Sequence, residues 1–236
     1  SKKDIYLDAK KTVFFIKKFK INFIFVDCYQ INLFWEKIVS KYCKIILITD
    51  FINRKTFSDY IINYHLFYEK HEYRKFYLKK NCKRLIGPRY TIVKKFKKKN
   101  YKKKNKITVY MGGVDSKGYT EKVVSILKKK PFKNYKILVV IGKKNLEKNF
   151  IINKIRKFKN FKYALGTKKN LYDFIKDSSL SISNGGTSMY ESLTLGIKTI
   201  ILPQNQVQKR ICKELDSINL ISYFKNKKQI NSEFIL

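Results

Sequence analysis

Short apolar runs, separated by helix-length amphipathic spacers, constrain the fold of this 236-residue chain more than any other feature. The first run is Asn22-Phe23-Ile24-Phe25-Val26, ending at Asp27. It is short and β-branched or aromatic, as expected of a strand buried on both faces. Residues 8–19 before it carry Ala9, Val13, Ile16 and Phe19 at helical spacing, and residues 31–42 after it carry Ile31, Phe34, Trp35, Ile38 and Val39. Lys44 to Thr49 is the next strand, again followed by an acid, Asp50. Strand, helix-length crossover and strand make a parallel βαβ unit. Tyr60-Ile61-Ile62 and Arg84-Leu85-Ile86 read as weaker strands, the second closed by the turn Gly87-Pro88.

The alternation resumes more cleanly in the second half. Strands are predicted at 107–111, 136–141, 160–164, 179–183 and 198–202, and helices near 119–129, 147–158, 169–176, 188–195 and 206–216. Such a series predicts a doubly wound parallel sheet, which takes its ligand beyond the carboxyl ends of the strands. Gly112-Gly113, Gly142 and Gly185-Gly186 all fall at those ends. Between the halves, residues 94–106 are almost entirely Lys and Asn and have no face to bury. The expected organisation is a partial N-terminal Rossmann-like domain over 1–97, a Lys-rich linker over 98–106 and a C-terminal Rossmann-like domain over 107–236.

Lys and Arg total 54 against 17 Asp and Glu, a net charge of +37. A charge of that size suggests nucleic acid or an anionic membrane surface. The basic residues are nearly all Lys, however, whereas nucleic-acid sites draw on Arg for bidentate contacts. Lys, Ile, Asn, Tyr and Phe are enriched together along the whole chain, the pattern of compositional drift in an AT-rich genome. A nucleic-acid partner is therefore not expected, although the charge favours anionic ligands generally. The four cysteines form no CxxC pair and have no His at ligand spacing, so no metal site is predicted. Reduced cysteines, no segment of about 18 apolar residues and no signal-peptide pattern point to a cytoplasmic location. The start at Ser1 and the apolar end at Phe234-Ile235-Leu236 read as cut ends.

The stretch from Ser181 to Gln206 carries the chemistry. A strand ends at Ser183, then come Gly185 and Gly186, then a helix begins near Thr187. Glycines let a phosphate approach the backbone, and a helix start offers unpaired N–H groups and partial positive charge. Glu191, one turn on, could accept hydrogen bonds from ribose hydroxyls. The same residues have a purely structural reading, in which Ser188-x-x-Glu191 is a capping box and Gly185-Gly186 a tight turn.

The stretch resembles the nucleotide-binding domain of MurG-type GT-B glycosyltransferases. It resembles more closely the UDP-2,4-diacetamido-2,4,6-trideoxy-β-L-altropyranose hydrolases of pseudaminic acid biosynthesis. The matching residues are Ile182-Ser183-Asn184-Gly185-Gly186-Thr187, Tyr190-Glu191, Leu195-Gly196 and Asn205-Gln206, with Lys198 standing where that family commonly has Pro. Upstream, Val26-Asp27-Cys28-Tyr29 with Trp35-Glu36, Ile48-Thr49-Asp50 with Arg54 and Asp59, Leu85-Ile86-Gly87-Pro88-Arg89-Tyr90, and Gly112-Gly113-Val114-Asp115 follow the family's order. The resemblance implies an α/β, GT-B-like fold of two Rossmann-type doubly wound domains, the N-terminal one incomplete. It also implies a UDP-sugar substrate and no cofactor. Gly185, Gly186 and Thr187 would then hold the diphosphate, and Glu191 the ribose. Gly112 and Gly113 would line the facing side of a cleft, and Gln206 would lie near the sugar or diphosphate. Tyr29 would reach the sugar from the other domain.

The family reaction is hydrolysis, with a His base in an N-terminal G-x-G-H-x-x-R loop. That loop is absent here, and the two histidines, His65 and His71, do not match it and read as ordinary loop or surface residues. The chain as written is therefore expected to bind UDP weakly or not at all and not to hydrolyse, as a fragment of an active enzyme's sequence. One alternative is a MurG-like glycosyltransferase on the same scaffold. An alternative of another class is a basic nucleic-acid-binding module, which would give no reason for the Gly-Gly-Thr and Glu191 element.

Overall fold

In the first part of the chain, burial alternates along three of four short strands and so assigns one face of a sheet to a core. The computed structural model describes residues 2–51, 54–65, 76–93, 104–166, 171–225 and 229–235. They form two compact units, Ser1–Ile92 and Val93–Leu236.

The first unit holds β1 (Phe23–Val26), β2 (Lys44–Ile48), β3 (Tyr60–Asn63) and β4 (Lys83–Ile86), all parallel and in sequential order. The strands therefore wind in a single direction across this sheet. Two helices cover the sheet, α1 (Lys2–Lys18) and α2 (Leu33–Val39). Asn32 caps α2, its Oδ1 accepting from the N–H groups of Phe34 and Trp35 at 3.1 and 3.2 Å. Helix α1 begins earlier than the predicted residue 8, with Asp4 in its first turn and Lys17 and Lys18 in its last, which complements the helix dipole. Val26, Ile45, Leu47 and Ile61 from one face pack with Ala9 and Ile16 of α1 and Trp35 and Val39 of α2. Trp35 Nε1 also donates to Asp8 Oδ1 at 2.7 Å. On the opposite face Phe23 and Phe25 are exposed, and Ile46, Ile48 and Ile62 are only half-buried.

Two acids hold the loops of this unit. Glu36, fully buried, bonds Arg54 Nη2 at 2.7 Å, Thr56 Oγ1 at 2.6 Å and the Phe57 N–H at 2.6 Å. Asp59 accepts from the Ile45 N–H at 2.9 Å and Lys79 Nζ at 2.7 Å.

The second unit is built on six parallel strands: β5 (Lys104–Tyr110), β6 (Lys136–Gly142), β7 (Phe161–Gly166), β8 (Ser178–Ser183), β9 (Lys198–Ile201) and β10 (Ser222–Tyr223). Their order across the sheet is β10-β9-β8-β5-β6-β7. Winding runs from β5 to β7 in one direction and from β8 to β10 in the other, so the order reverses between β5 and β8. The covering helices are α3 (Tyr119–Leu127), α4 (Lys148–Arg156), α5 (Leu171–Ile175), α6 (Thr187–Thr194), α7 (Gln206–Ser217) and α8 (Ser232–Ile235). On one face of the sheet Val109, Val139, Ile141, Ile182 and Ile200 are completely buried; on the other, Thr108, Ser181 and Thr199 are buried beside Val140 and Ile201.

The linker prediction needs correction at one end. Lys104, Asn105 and Lys106, assigned to it from composition, belong to β5; residues 98–103 lie outside the described residues. Asp177 is the reason. Its Oδ1 bonds Lys106 Nζ at 2.6 Å, its Oδ2 lies 3.2 Å from Lys104 Nζ, and its carbonyl accepts from the Lys104 N–H at 3.0 Å. Burial pushes the Asp177 carboxyl up, but the hydrogen bonds and charges of Lys106 and Lys104 outweigh it, and the net shift is below the ordinary range. A carboxyl depressed on folding stabilises fully above its unfolded value near ~4, and that contribution is lost as pH falls through the folded value. Wild type should therefore lose roughly 1 kcal/mol more than Asp177→Asn between pH 6 and pH 2.5. Urea titrations at both pH values check this, and equal losses in the two proteins would refute it.

Candidate functional site

The reversal between β5 and β8 leaves the chain diverging on either side of one gap at the carboxyl edge of the sheet. Parallel sheets place ligands at such points. Past β5 the chain enters Met111-Gly112-Gly113, and past β8 it enters Asn184-Gly185-Gly186. Two of the predicted glycine pairs therefore lie on neighbouring strands. A Cβ on Gly112, whose φ is +81°, would lie 2.8 Å from Asn184 Nδ2, so the two loops touch there. A Cβ on Gly113 would meet nothing within 4 Å.

Helix α6 begins at Thr187 with Gly186 as its N-cap, and no side chain caps it. This overturns the capping-box reading. Because the helix starts one residue before Ser188, that residue sits inside the first turn, and its Oγ donates to Asn184 Oδ1 at 3.2 Å. Among the described residues, the backbone N–H groups of Gly185, Gly186, Thr187 and Ser188 donate to no protein acceptor. Four consecutive unpaired donors at a helix start make an anion cradle.

Glu191 lies one turn further on and is half-buried. No hydrogen bond or ion pair holds its carboxylate among the described residues; only its backbone carbonyl is engaged, by Thr194 Oγ1 at 2.8 Å. Burial raises its pKa. Tyr110, at the end of β5, has its phenol pushed up by burial and by the charge of Glu191, which places the two side chains near one another.

Gln206, the first residue of α7, lines a cavity of about 670 Å³ together with Lys117, Gln204, Lys209, Phe224 and Lys225. Gly185, Gly186, Thr187 and Glu191 do not line it. Gln204, which sequence reasoning passed over, stitches the two regions together. Its Nε2 donates to Met111 O at 2.8 Å, its Oε1 accepts from Ser116 Oγ at 3.1 Å, and its N–H donates to Gln208 Oε1 at 2.8 Å. Asp115 supports the same loop, accepting from the N–H groups of Tyr119 and Thr120 at 3.0 and 2.8 Å. The only advance signal for these residues was membership of the Gly112-Gly113-Val114-Asp115 and Pro203-Gln204-Asn205-Gln206 runs.

Tyr29 belongs to the first unit, just past β1, and is exposed. Its phenol donates to Asp50 Oδ2 at 2.7 Å. His65, expected as a loop or surface residue, lies in a loop but not at the surface. It is 3% exposed, with its Nε2 2.9 Å from Asp50 Oδ1, because the chain leaving β3 turns inward where Asn63 Oδ1 accepts the His65 N–H at 3.1 Å. His71 lies outside the described residues. Among the described residues, no cluster of three His, Cys, Asp or Glu could hold a metal ion, and no helix is long and apolar enough to cross a membrane.

These features define a GT-B glycosyltransferase-like α/β fold. Residues 106–214 match the glycosyltransferase family 28 C-terminal domain. The chain superposes on MurG of Acinetobacter baumannii with a TM-score of 0.58 at 10% identity, covering 95% of this chain and 66% of that one. The spinosyn rhamnosyltransferase SpnG, solved with thymidine diphosphate, gives 0.55 at 9% identity, with coverage of 96% and 65%. The pneumococcal O-GlcNAc transferase GtfA, solved with UDP and GlcNAc, gives 0.52 at 11% identity, with coverage of 89% and 53%. In sequence the chain is 29% identical over 215 residues to an uncharacterized protein of Methanocaldococcus jannaschii, which spans 82% of this chain. The match covers 43% of that relative, less than half its length.

Proposed function

We propose that the second unit binds the nucleoside diphosphate of a UDP-sugar and that the protein transfers the sugar, as a MurG-like glycosyltransferase. The observation that carries this reading is the run of unpaired N–H groups from Gly185 to Ser188, one helical turn from the unpartnered carboxylate of Glu191. The diphosphate sits on the N–H groups, and Glu191 accepts from the ribose hydroxyls. Gly113 leaves open space beside them, Gly112 lets its loop approach Asn184, and Gln206 with the lysines of the adjoining cavity extends the basic surface toward the sugar. The solved transferases of the same fold, one holding UDP and one thymidine diphosphate, support a nucleotide ligand. Tyr29 is proposed as a sugar-site residue of the first unit.

A second reading keeps the same nucleotide and replaces the acceptor by water. The chain would then release UDP from a 2,4-diacetamido-trideoxy sugar in nonulosonic acid synthesis, in the cytoplasm. The ordered set of first-unit motifs, from Asp27-Cys28-Tyr29 to Gly87-Pro88, favours it.

The test is a UDP titration of the chain followed by amide resonances and calorimetry. Shifts are expected at Gly185, Gly186 and Thr187. Glu191→Ala should weaken binding about 10-fold, the scale of one lost set of charge-assisted hydrogen bonds. UDP that leaves those amides unmoved would sink the nucleotide reading.

A further inference from the structure

The cavity beside Gln206 is lined by three ammonium groups and by no acid. Lys117 comes from the loop after β5, Lys209 from the first turn of α7 and Lys225 from just past β10, all within the second unit. Among the described residues none of the three is in an ion pair. Lys117 Nζ reaches a neutral atom, Pro203 O, at 3.5 Å. Asp115 stands behind the wall, 3.5 Å from Gln204 Nε2, but it is 7% exposed and its oxygens already accept the N–H groups of Tyr119 and Thr120.

The floor has a different chemistry. Tyr119 and Phe224 line it and are themselves 7% and 3% exposed, and the Phe224 ring is backed by Phe234 of α8 with centroids 4.3 Å apart. Apolar walls under charges of one sign focus the field into a concavity and draw in an anion. With nothing bound, three ammonium groups around one hollow repel each other. A bound oxyanion relieves that repulsion and accepts charge-assisted hydrogen bonds from each. The amides of Asn205 and Gln206 are exposed on the same wall. An aromatic floor with amides beside it suits a sugar ring, whose C–H face packs on the aromatic carbon while its hydroxyls meet the amides. The volume of about 670 Å³ falls within the roughly 300–1,000 Å³ of small-molecule sites.

This cavity adjoins the anion cradle. A Cβ on Gly185 would lie 3.0 Å from Gln208 Cβ, and Gln208 Oε1 accepts the N–H of Gln204, a cavity residue, at 2.8 Å. Asn205 Oδ1 accepts the Gln208 N–H at 2.8 Å and holds that turn of α7 in place. A ligand with its diphosphate on the N–H groups of Gly185 to Ser188 therefore has the cavity one side chain away.

We propose that the cavity takes an acidic sugar, with its carboxylate on Lys117, Lys209 and Lys225 and its ring on Tyr119 and Phe224. That the sugar is carried on a nucleotide rests on the function proposed above; the pocket for a sugar acid does not. The three lysines are then specificity residues, because a neutral sugar leaves their charge unanswered. Binding makes and breaks no covalent bond.

Calorimetry on the whole chain with UDP, UDP-glucose and UDP-glucuronate tests this. The two sugars differ at C6 alone, a hydroxymethyl group against a carboxylate. UDP-glucuronate should bind about 10-fold or more tighter than UDP-glucose, the scale of one set of charge-assisted hydrogen bonds. Lys117→Gln and Lys225→Gln together should make the two sugars bind alike; both residues are exposed, so the fold is not at stake. Lys129→Gln and Lys213→Gln together remove the same net charge from exposed positions outside the cavity and should keep the preference. If UDP binds but wild type takes both sugars equally, or if the preference survives loss of Lys117 and Lys225, the acidic-sugar pocket is overturned and the nucleotide site stands. If UDP fails to bind, the nucleotide reading falls and free glucuronate decides the pocket. Glucuronate, but not glucose, should then shift the side-chain resonances of Lys117 and Lys225, and unmoved resonances overturn the pocket. Inorganic phosphate that shifts them as strongly as glucuronate marks a site for free anions and overturns the sugar assignment.

Discussion

Glu36→Ala should destabilise the first unit by about 3–5 kcal/mol, the usual result of removing one partner from a buried charge pair. The carboxylate is completely buried and has three partners: Arg54, Thr56 Oγ1 and the Phe57 N–H. Truncation leaves the Phe57 N–H unpaired and removes the counter-charge of a guanidinium whose side chain is only 14% exposed, although Arg54 keeps Ile31 O and Thr56 keeps Ser58 Oγ. Glu36→Gln keeps the volume and some of the bonds and should cost about half as much, nearer the range for a hydrogen bond to a charged group. The chain has one tryptophan, Trp35, which is 3% exposed and adjacent to Glu36 in α2. Its fluorescence during urea unfolding therefore reports this unit specifically. A shift worth under about 1 kcal/mol in Glu36→Ala would show that the loops rearrange to release the charge, contrary to the expectation.

Gly142→Ala should be nearly as damaging to the second unit. A Cβ at this position would lie 2.3 Å from the carbonyl oxygens of both Gly112 and Gly113. Those atoms are backbone, so no side chain can swing aside; the β5–α3 loop itself must move. The loop is tied there by the hydrogen bond from the Lys144 N–H to Gly113 O at 3.0 Å. A cost of about 3 kcal/mol, the upper end for overpacking, is expected. Nucleotide affinity should fall with it, because Gly112 and Gly113 are proposed to line the nucleotide site. Gly113→Ala is the control, since its Cβ would meet no atom within 4 Å. Hydrogen exchange at β5 and β6 amides measures both. Equal protection in the two variants would refute the close-approach argument.

Most of the fold was legible because parallel strands announce themselves. Runs such as Lys136–Gly142 and Lys198–Ile201 are short, apolar on both faces and spaced by helix-length segments, so their existence and order follow from periodicity. The two-residue strand β10 was not legible, being too short to carry a period. The strand at Lys104–Lys106 was misread as linker because its lysines are satisfied by Asp177, more than seventy residues away in the chain. The site divided in the same manner. The local element from Gly185 to Glu191 could be read from the chemistry of a strand–turn–helix. Gln204 bridging Met111 and Ser116 could not, and neither could His65 turned inward toward Asp50. These depend on which loops the topology brings together, and no spacing rule encodes that.

The half-bare sheet of the first unit has a consequence for how the molecule behaves in solution. Phe23 and Phe25 of β1 stand 56% and 58% exposed on that face of the sheet. Exposed aromatic side chains on a sheet face favour association with another surface, and repulsion between copies opposes it. The excess of lysine supplies the repulsion, so the charge that suggests an anionic ligand also serves as a colloidal brake. Because that brake is electrostatic, it weakens over a Debye length of about 10 Å at 0.1 M salt and about 3 Å at 1 M. The same protein would stay dispersed in dilute buffer and self-associate in brine.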